Sequence, residues 1–152
     1  MIILFYGQPS SGKTTLADAF VQKFWQQYLG IVRIDGDKWR DITKNKDYSK
    51  EGRIKNLKGA FDMALYLEDI GYIPILSFVT PYEELRQYLH DNSKHLVEIY
   101  LECNVDRGRN DYFAKDFEIP TIECLQIDTS DISVDECINK VNEYIKNRKN
   151  NG

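Results

Sequence analysis

An α/β fold, a five-stranded parallel sheet with helices on both faces, is what the sequence predicts, and three observations predict it. Short apolar runs alternate with helically spaced apolar residues along the whole chain. Glycines stand at several of the joints, and the first run is apolar at every position rather than at every second one. Alternating strand and helix implies right-handed βαβ crossovers, and a continuous apolar run implies a strand covered on both faces. Ligands of such sheets gather at the carboxyl ends of the strands.

Met1 to Tyr6 is the first strand, and Gly7 opens a loop into a helix carrying Leu16, Ala19, Phe20 and Phe24. Gly30 stops that helix, and Ile31 to Ile34 is the second strand. A helix from about Arg53 to Ile70 presents Leu57, Phe61, Ala64, Leu65 and Leu67 at helical spacing. Gly71 then releases the chain into a third strand, Ile73 to Phe78. Pro81 opens a helix through about His90, followed by a fourth strand, Leu96 to Leu101, and a fifth, Leu125 to Ile127. Val134 to about Ile145 is the last helix, and Lys146 to Gly152 reads as a polar tail.

A chain of 152 residues predicts one domain with one core and no internal boundary. With 42% hydrophobic and 29% charged residues the balance is globular, which excludes a disordered or membrane-embedded chain. The apolar start is too short for a signal or a span. A net charge of −4 argues against binding the backbone of a long nucleic acid, so any phosphate must be held locally. Cys103, Cys124 and Cys137 form no CxxC pair and have only His90 and His95 as possible metal partners. Buried, reduced thiols in a cytoplasmic chain are expected.

The strongest motif is Gly7-Gln8-Pro9-Ser10-Ser11-Gly12-Lys13-Thr14, which matches GxxxxGK[ST] between a predicted strand and a predicted helix. Gly7 and Gly12 let the backbone turn so that the loop's N–H groups, with Ser10 and Ser11 among its residues, face a phosphate. Lys13 reaches the β and γ oxygens, Thr14 offers its hydroxyl to Mg²⁺, and Thr15 adds a further phosphate contact. No Asn-Lys-x-Asp guanine signature follows a later strand, and Ile75-Leu76-Ser77-Phe78 ends without the carboxylate of a motor ATPase. A small-molecule kinase using ATP and Mg²⁺ remains. Asp35 and Asp37 flank Gly36 after the second strand. One carboxylate can hold the metal shell, for which Asp35 is the candidate, and Asp37 can take the proton of an attacking hydroxyl. Arg40 offers a fork for an anionic acceptor.

Together these residues resemble the adenylylsulfate kinase family. The family's segments correspond to GQPSSGKTT, to IDGDKWR, to Tyr48-Ser49 with Arg53 and Asn56, and to Ser77-Phe78-Val79-Thr80-Pro81-Tyr82, in order over about residues 1 to 105. The resemblance implies the three-layer P-loop kinase fold with strand order 2-3-1-4-5, and phosphorylation of the ribose 3′-hydroxyl of adenylylsulfate by MgATP. It implies Asp37 as base, Arg40, Arg53 and Asn56 as anion contacts, and Tyr48 as an aromatic surface. It makes Val79, Thr80, Pro81 and Tyr82 the lining of the acceptor pocket, and by analogy a homodimer. The sequence departs from the pattern in two places. Gly52 stands where the family has an acidic residue, and a short stretch at about 106–120 replaces the longer lid. In this lid Arg107 and Arg109 can reach ATP phosphates, and Phe117 can cap the acceptor's base. Gly52 and the short lid keep open another nucleotide acceptor with a sulfate-like head, such as cytidine diphosphoramidate in capsule biosynthesis. A non-catalytic ATP-binding module is a third reading, against which stand the retained Lys13, Thr14, Asp35 and Asp37.

Overall fold

The computed structural model describes residues 1–150. Its five strands, β1 (Ile2–Tyr6), β2 (Ile31–Asp35), β3 (Ile73–Phe78), β4 (Leu96–Glu102) and β5 (Leu125–Asp128), pair in parallel in the order β2-β3-β1-β4-β5. β1 lies at the centre, which explains its unbroken apolar run. Ile3 and Phe5 enter the core shared with α1 (Lys13–Phe24) and α5 (Val134–Asn150). Ile2, Leu4 and Tyr6 enter the core on the other face, under α3 (Lys50–Asp69) and α4 (Glu83–Asn92). Because every strand is parallel, the loops after β1, β2, β3 and β4 emerge at one edge of the sheet.

The structure revises several sequence expectations. A helix absent from the sequence reading, α2 (Gly36–Thr43), follows β2 at once, with the Asp35 side chain accepting from Lys38 N as its N-cap. None of its residues is buried, so it shows no apolar stripe to announce it. α3 starts at Lys50 rather than about Arg53, because Ser49 Oγ caps Gly52 N at 3.2 Å. α4 begins two residues after Pro81, with Tyr82 as N-cap, and runs to Asn92. α5 continues through the supposed tail to Asn150, with Arg148 Nη1 donating to Tyr144 Oη at 3.0 Å. Of the three free cysteines only Cys137 is buried, and Cys103 and Cys124 are half-buried. Among the described residues no helix is long and apolar enough to cross a membrane.

Candidate active site

The loops at the carboxyl edge enclose a cleft of about 660 Å³. The phosphate loop forms its first wall. Gly12, at φ 99°, occupies backbone space that other residues rarely enter, and Ser10 is also left-handed at φ 65°. Gly7 lies behind the loop, where a Cβ would collide with Leu101 O of β4. Ser10, Gly12, Lys13, Thr14 and Thr15 line the cleft, whereas Ser11 is buried behind it. Two groups hold the loop from outside: Thr129 Oγ1 donates to Ser11 O at 2.8 Å, and Arg107 Nη1 donates to Ser10 O at 2.9 Å. Arg107 spends its other nitrogen on Thr129 O, 3.0 Å away. It therefore braces the loop and does not line the cleft, which corrects its expected approach to the phosphates. Arg109 does line it.

Lys13 Nζ donates to Gln8 O at 2.8 Å. Burial pulls its ammonium down to about 8; Asp37 and Asp35 oppose that fall, and Arg109 adds to it. An ammonium that burial makes easier to discharge is one that an incoming polyanion will hold charged.

Asp35 and Asp37 stand opposite. Asp35 Oδ1 accepts from Thr14 Oγ1 at 2.8 Å and from Ser77 Oγ at 2.7 Å, and Arg33 Nη2 lies 3.7 Å from it. Burial alone would raise this carboxyl. The bonds from Ser77, Thr14 and Lys38 N, together with Arg33, outweigh it and hold the group below the usual carboxylate range. Arg33 is itself fixed by Ser77 Oγ, Ile75 O and Asp18, so the position of Asp35 is determined through β2 and β3. A hydroxyl and a carboxylate at hydrogen-bond distance are hard oxygen donors of the kind that Mg²⁺ prefers. No cluster of three or more His, Cys, Asp or Glu side chains suited to a metal exists among the described residues. Any cation here would be held mainly by phosphate oxygens and water.

The far end of the cleft is basic. Arg40, Arg53 and Asn56 line it, with Tyr48 at the rim and Val79, Thr80 and Pro81 as a wall. Neither Arg40 nor Arg53 has a carboxylate at ion-pair distance among the described residues. Asn56 is buried and its Oδ1 has no protein partner. Arg40 Nη1 donates to Asn45 O, Asn45 Oδ1 and Asp47 O at 3.1 to 3.2 Å, and its guanidinium sits 4.2 Å from the centre of the Tyr48 ring. One edge of that fork thus holds the 45–48 loop in place. Asp37 lines the same cleft as Lys13, Arg40 and Arg53, and its charge opposes the fall of both Lys13 and Arg40.

Two expected acceptor contacts are elsewhere. Tyr82 is 1% exposed and does not line the cleft; its ring belongs to the core under α3 and α4, and its hydroxyl lies beside Arg53 and Asp116. Phe117 stacks on Tyr100 with centroids 5.9 Å apart and faces the same core. The lid aromatics that do line the cleft are Tyr112 and Phe113. Sequence reading passed over these two although they lie in the lid stretch. It also passed over Gln8, at a free position of the motif, whose amide pairs with Ala114 through two 2.9 Å bonds. Gly52 has a plain cause: a Cβ there would run into Asp47, whose carbonyl and carboxyl group fill the space.

The geometry agrees with what comparison with known proteins shows. The sequence profile of the adenylylsulphate kinase family matches residues 1–112. The adenylyl-sulfate kinase of Staphylococcus haemolyticus is 28% identical over 172 aligned positions, spanning 98% of this chain and 85% of that protein. The cytidine diphosphoramidate kinase of Campylobacter jejuni is 32% identical over 104 positions, spanning 68% of this chain and 61% of that one. In fold, the APS kinase of Mycobacterium tuberculosis solved in complex with AMPPNP and APS superposes with a TM-score of 0.82 at 20% identity, over 95% of this chain and 96% of that one. With the family's profile running from the first strand through the start of the lid, the chain belongs to the adenylylsulphate kinase family and is an ATP-dependent kinase.

Proposed function

We propose that the protein transfers the γ-phosphoryl group of MgATP to the ribose 3′-hydroxyl of adenylylsulfate, giving 3′-phosphoadenylylsulfate and ADP. The observation that carries this reading is that Asp37 lines one cleft with Lys13 of the phosphate loop and with the basic pair Arg40 and Arg53. The loop's N–H groups and Lys13 hold the β and γ phosphates. Thr14 and Asp35 would hold the metal, which would supply neutralisation of phosphate charge. The two guanidiniums grip the acceptor's anionic head, and Asn56 Oδ1 is free to accept from an O–H or N–H elsewhere on the acceptor. Asp37 then accepts the hydroxyl proton as the new P–O bond forms and the bond to the ADP oxygen breaks. Arg109, Tyr112 and Phe113 close the cleft from the lid side.

A second acceptor has specific support. The Campylobacter relative acts by name on cytidine diphosphoramidate, and Gly52 and the short lid are changes at the acceptor end. Both acceptors offer a ribose hydroxyl and a tetrahedral, sulfate-like head. ADP release measured with adenylylsulfate, cytidine diphosphoramidate and plain nucleotides separates them. Selective turnover of adenylylsulfate is expected, and comparable or better turnover of the cytidine compound overturns that choice. Asp37→Asn should lower turnover by about 10² or more while ATP binding persists; survival of turnover removes Asp37 as the base.

A further inference from the structure

The wall facing the acceptor has an unusual conformation and an unusual support. Thr80 is β-branched, fully buried and left-handed at φ 47°, a region such residues rarely occupy. Its carbonyl accepts from Arg86 Nη1 at 2.8 Å, and Arg86 Nη2 donates to Glu118 O of the lid at 2.7 Å. The Glu118 amide in turn donates to Pro81 O at 2.7 Å. Three hydrogen bonds therefore lock the far end of the lid to the Thr80–Pro81 wall, while the Gln8 amide pair locks Ala114 to the phosphate loop.

Arg86 is only 2% exposed, and among the described residues no carboxylate lies within ion-pair distance of it. A guanidinium buried in this way is costly unless its planar fork does something a simpler side chain cannot. Here the fork bridges two backbone carbonyls from segments that are distant in the chain. The rings of Tyr6 and Phe117, with centroids 5.1 and 6.0 Å from the guanidinium carbon, attract it, and the buried Glu98 carboxyl, beyond ion-pair distance, shares its field.

We propose that Arg86 is a positioning residue for acceptor recognition: it holds Thr80 in its left-handed conformation and couples the lid to that wall. The inference rests on the reading of this end of the cleft as the acceptor's. The ATP end is held by other groups, so disturbing Arg86 affects the acceptor selectively.

The test is Arg86→Lys, which keeps the charge and removes the fork. It should raise the acceptor KM about tenfold or more, the scale of losing charged hydrogen bonds, and leave the Kd of a non-hydrolysable ATP analogue within about twofold. Amide exchange at Glu118 should speed up in parallel. Adding Thr80→Gly to Arg86→Lys should recover part of the acceptor KM, because glycine takes a positive φ without support. Equal losses at both substrates, no change at either, or no recovery by the glycine would each overturn the proposal. If Arg86→Lys does not fold, the exposed Glu118→Pro, which deletes the amide bonded to Pro81 O, must give the same acceptor-selective loss; an unselective effect refutes the coupling. Should the unaltered protein turn over no nucleotide of the panel, the acceptor reading fails by itself, and Glu118 exchange in Arg86→Lys still decides the clamp.

Discussion

Replacing Gly52 by alanine sets two effects of opposite sign against each other. Gly52 lies in the first turn of α3, where alanine would favour the helix by about 1 kcal/mol. The new methyl would meet the 45–48 loop, with Asp47 Cβ 2.5 Å away and the Asp47 carbonyl nearer still. Ordinary carbon contacts are about 3.5 to 4.0 Å, so the loop must withdraw by about 1 Å. That movement strains the bond from Asn45 Nδ2 to Gly52 O and the three bonds from Arg40 Nη1 to Asn45 and Asp47. Losing half of these, at about 1 kcal/mol each, with some overpacking added, outweighs the helix gain and leaves a net loss of about 1 to 2 kcal/mol. For a domain of this size that lowers Tm by about 3 to 6 °C. Thermal and denaturant unfolding measure it, and acceptor titration should show a raised KM at unchanged ATP affinity, since Arg40 and Tyr48 shift with the loop. A variant as stable as the parent, or more stable, would mean that helix propensity alone acts at position 52 and that the loop is not packed there.

Two pH effects follow from buried charges. Lys13, pulled down to about 8 in the ligand-free protein, is charged below that pH and neutral above it, whereas bound phosphate restores the charge. Binding of an ATP analogue at about pH 8.5 should therefore take up a large part of one proton and weaken as pH rises through the lysine's titration. Calorimetry in two buffers of different ionisation enthalpy detects this, and proton-neutral binding there contradicts it. Glu98, 5% exposed with Oε1 unpartnered, has its carboxyl raised by burial, an effect that Arg86, His90 and Arg148 reduce without cancelling. The folded state then binds the proton more tightly than the unfolded state, so Glu98 makes stability fall as pH rises from the ordinary carboxylate value through the raised one. Glu98→Gln should be more stable than the parent at neutral pH and should lose that slope; equal slopes in unfolding measured from pH 5 to 8 would refute the assignment.

The sequence revealed those parts of the molecule in which burial or a shared motif leaves a pattern. β1 was readable because both of its faces are covered, and the phosphate loop because its chemistry fixes residue types at fixed spacing. α2 left no pattern because only Trp39 on it packs against the core, and the start of α3 was obscured because glycine stands at Gly52, where a capping box would carry glutamate. At the site, Asp35, Asp37, Arg40, Arg53 and Asn56 converge on the cleft because each sits at or just after a strand end or on the helix facing it. Tyr82 and Phe117 do not, and the reason is not local. Their rings are drawn into the core under α3 and α4, Phe117 against the Arg86 guanidinium, and no spacing along the chain records which way a ring will turn. Arg107 was identified as basic, but which oxygens it would meet depended on Thr129, remote in sequence.

The pairing of Gln8 with Ala114 bears on how such an enzyme can change. Gln8 occupies a position that the GxxxxGK[ST] pattern leaves free, and it meets the lid through both faces of its amide, as one strand meets another. Its neighbours in the loop are the phosphate contacts of the proposed function, while this one residue sets where the lid is seated. A substitution at Gln8 can therefore reseat the lid, and with it the boundary of the acceptor chamber, without altering any residue that the phosphate motif requires. Donor chemistry and acceptor range are adjacent in the chain and yet free to vary apart.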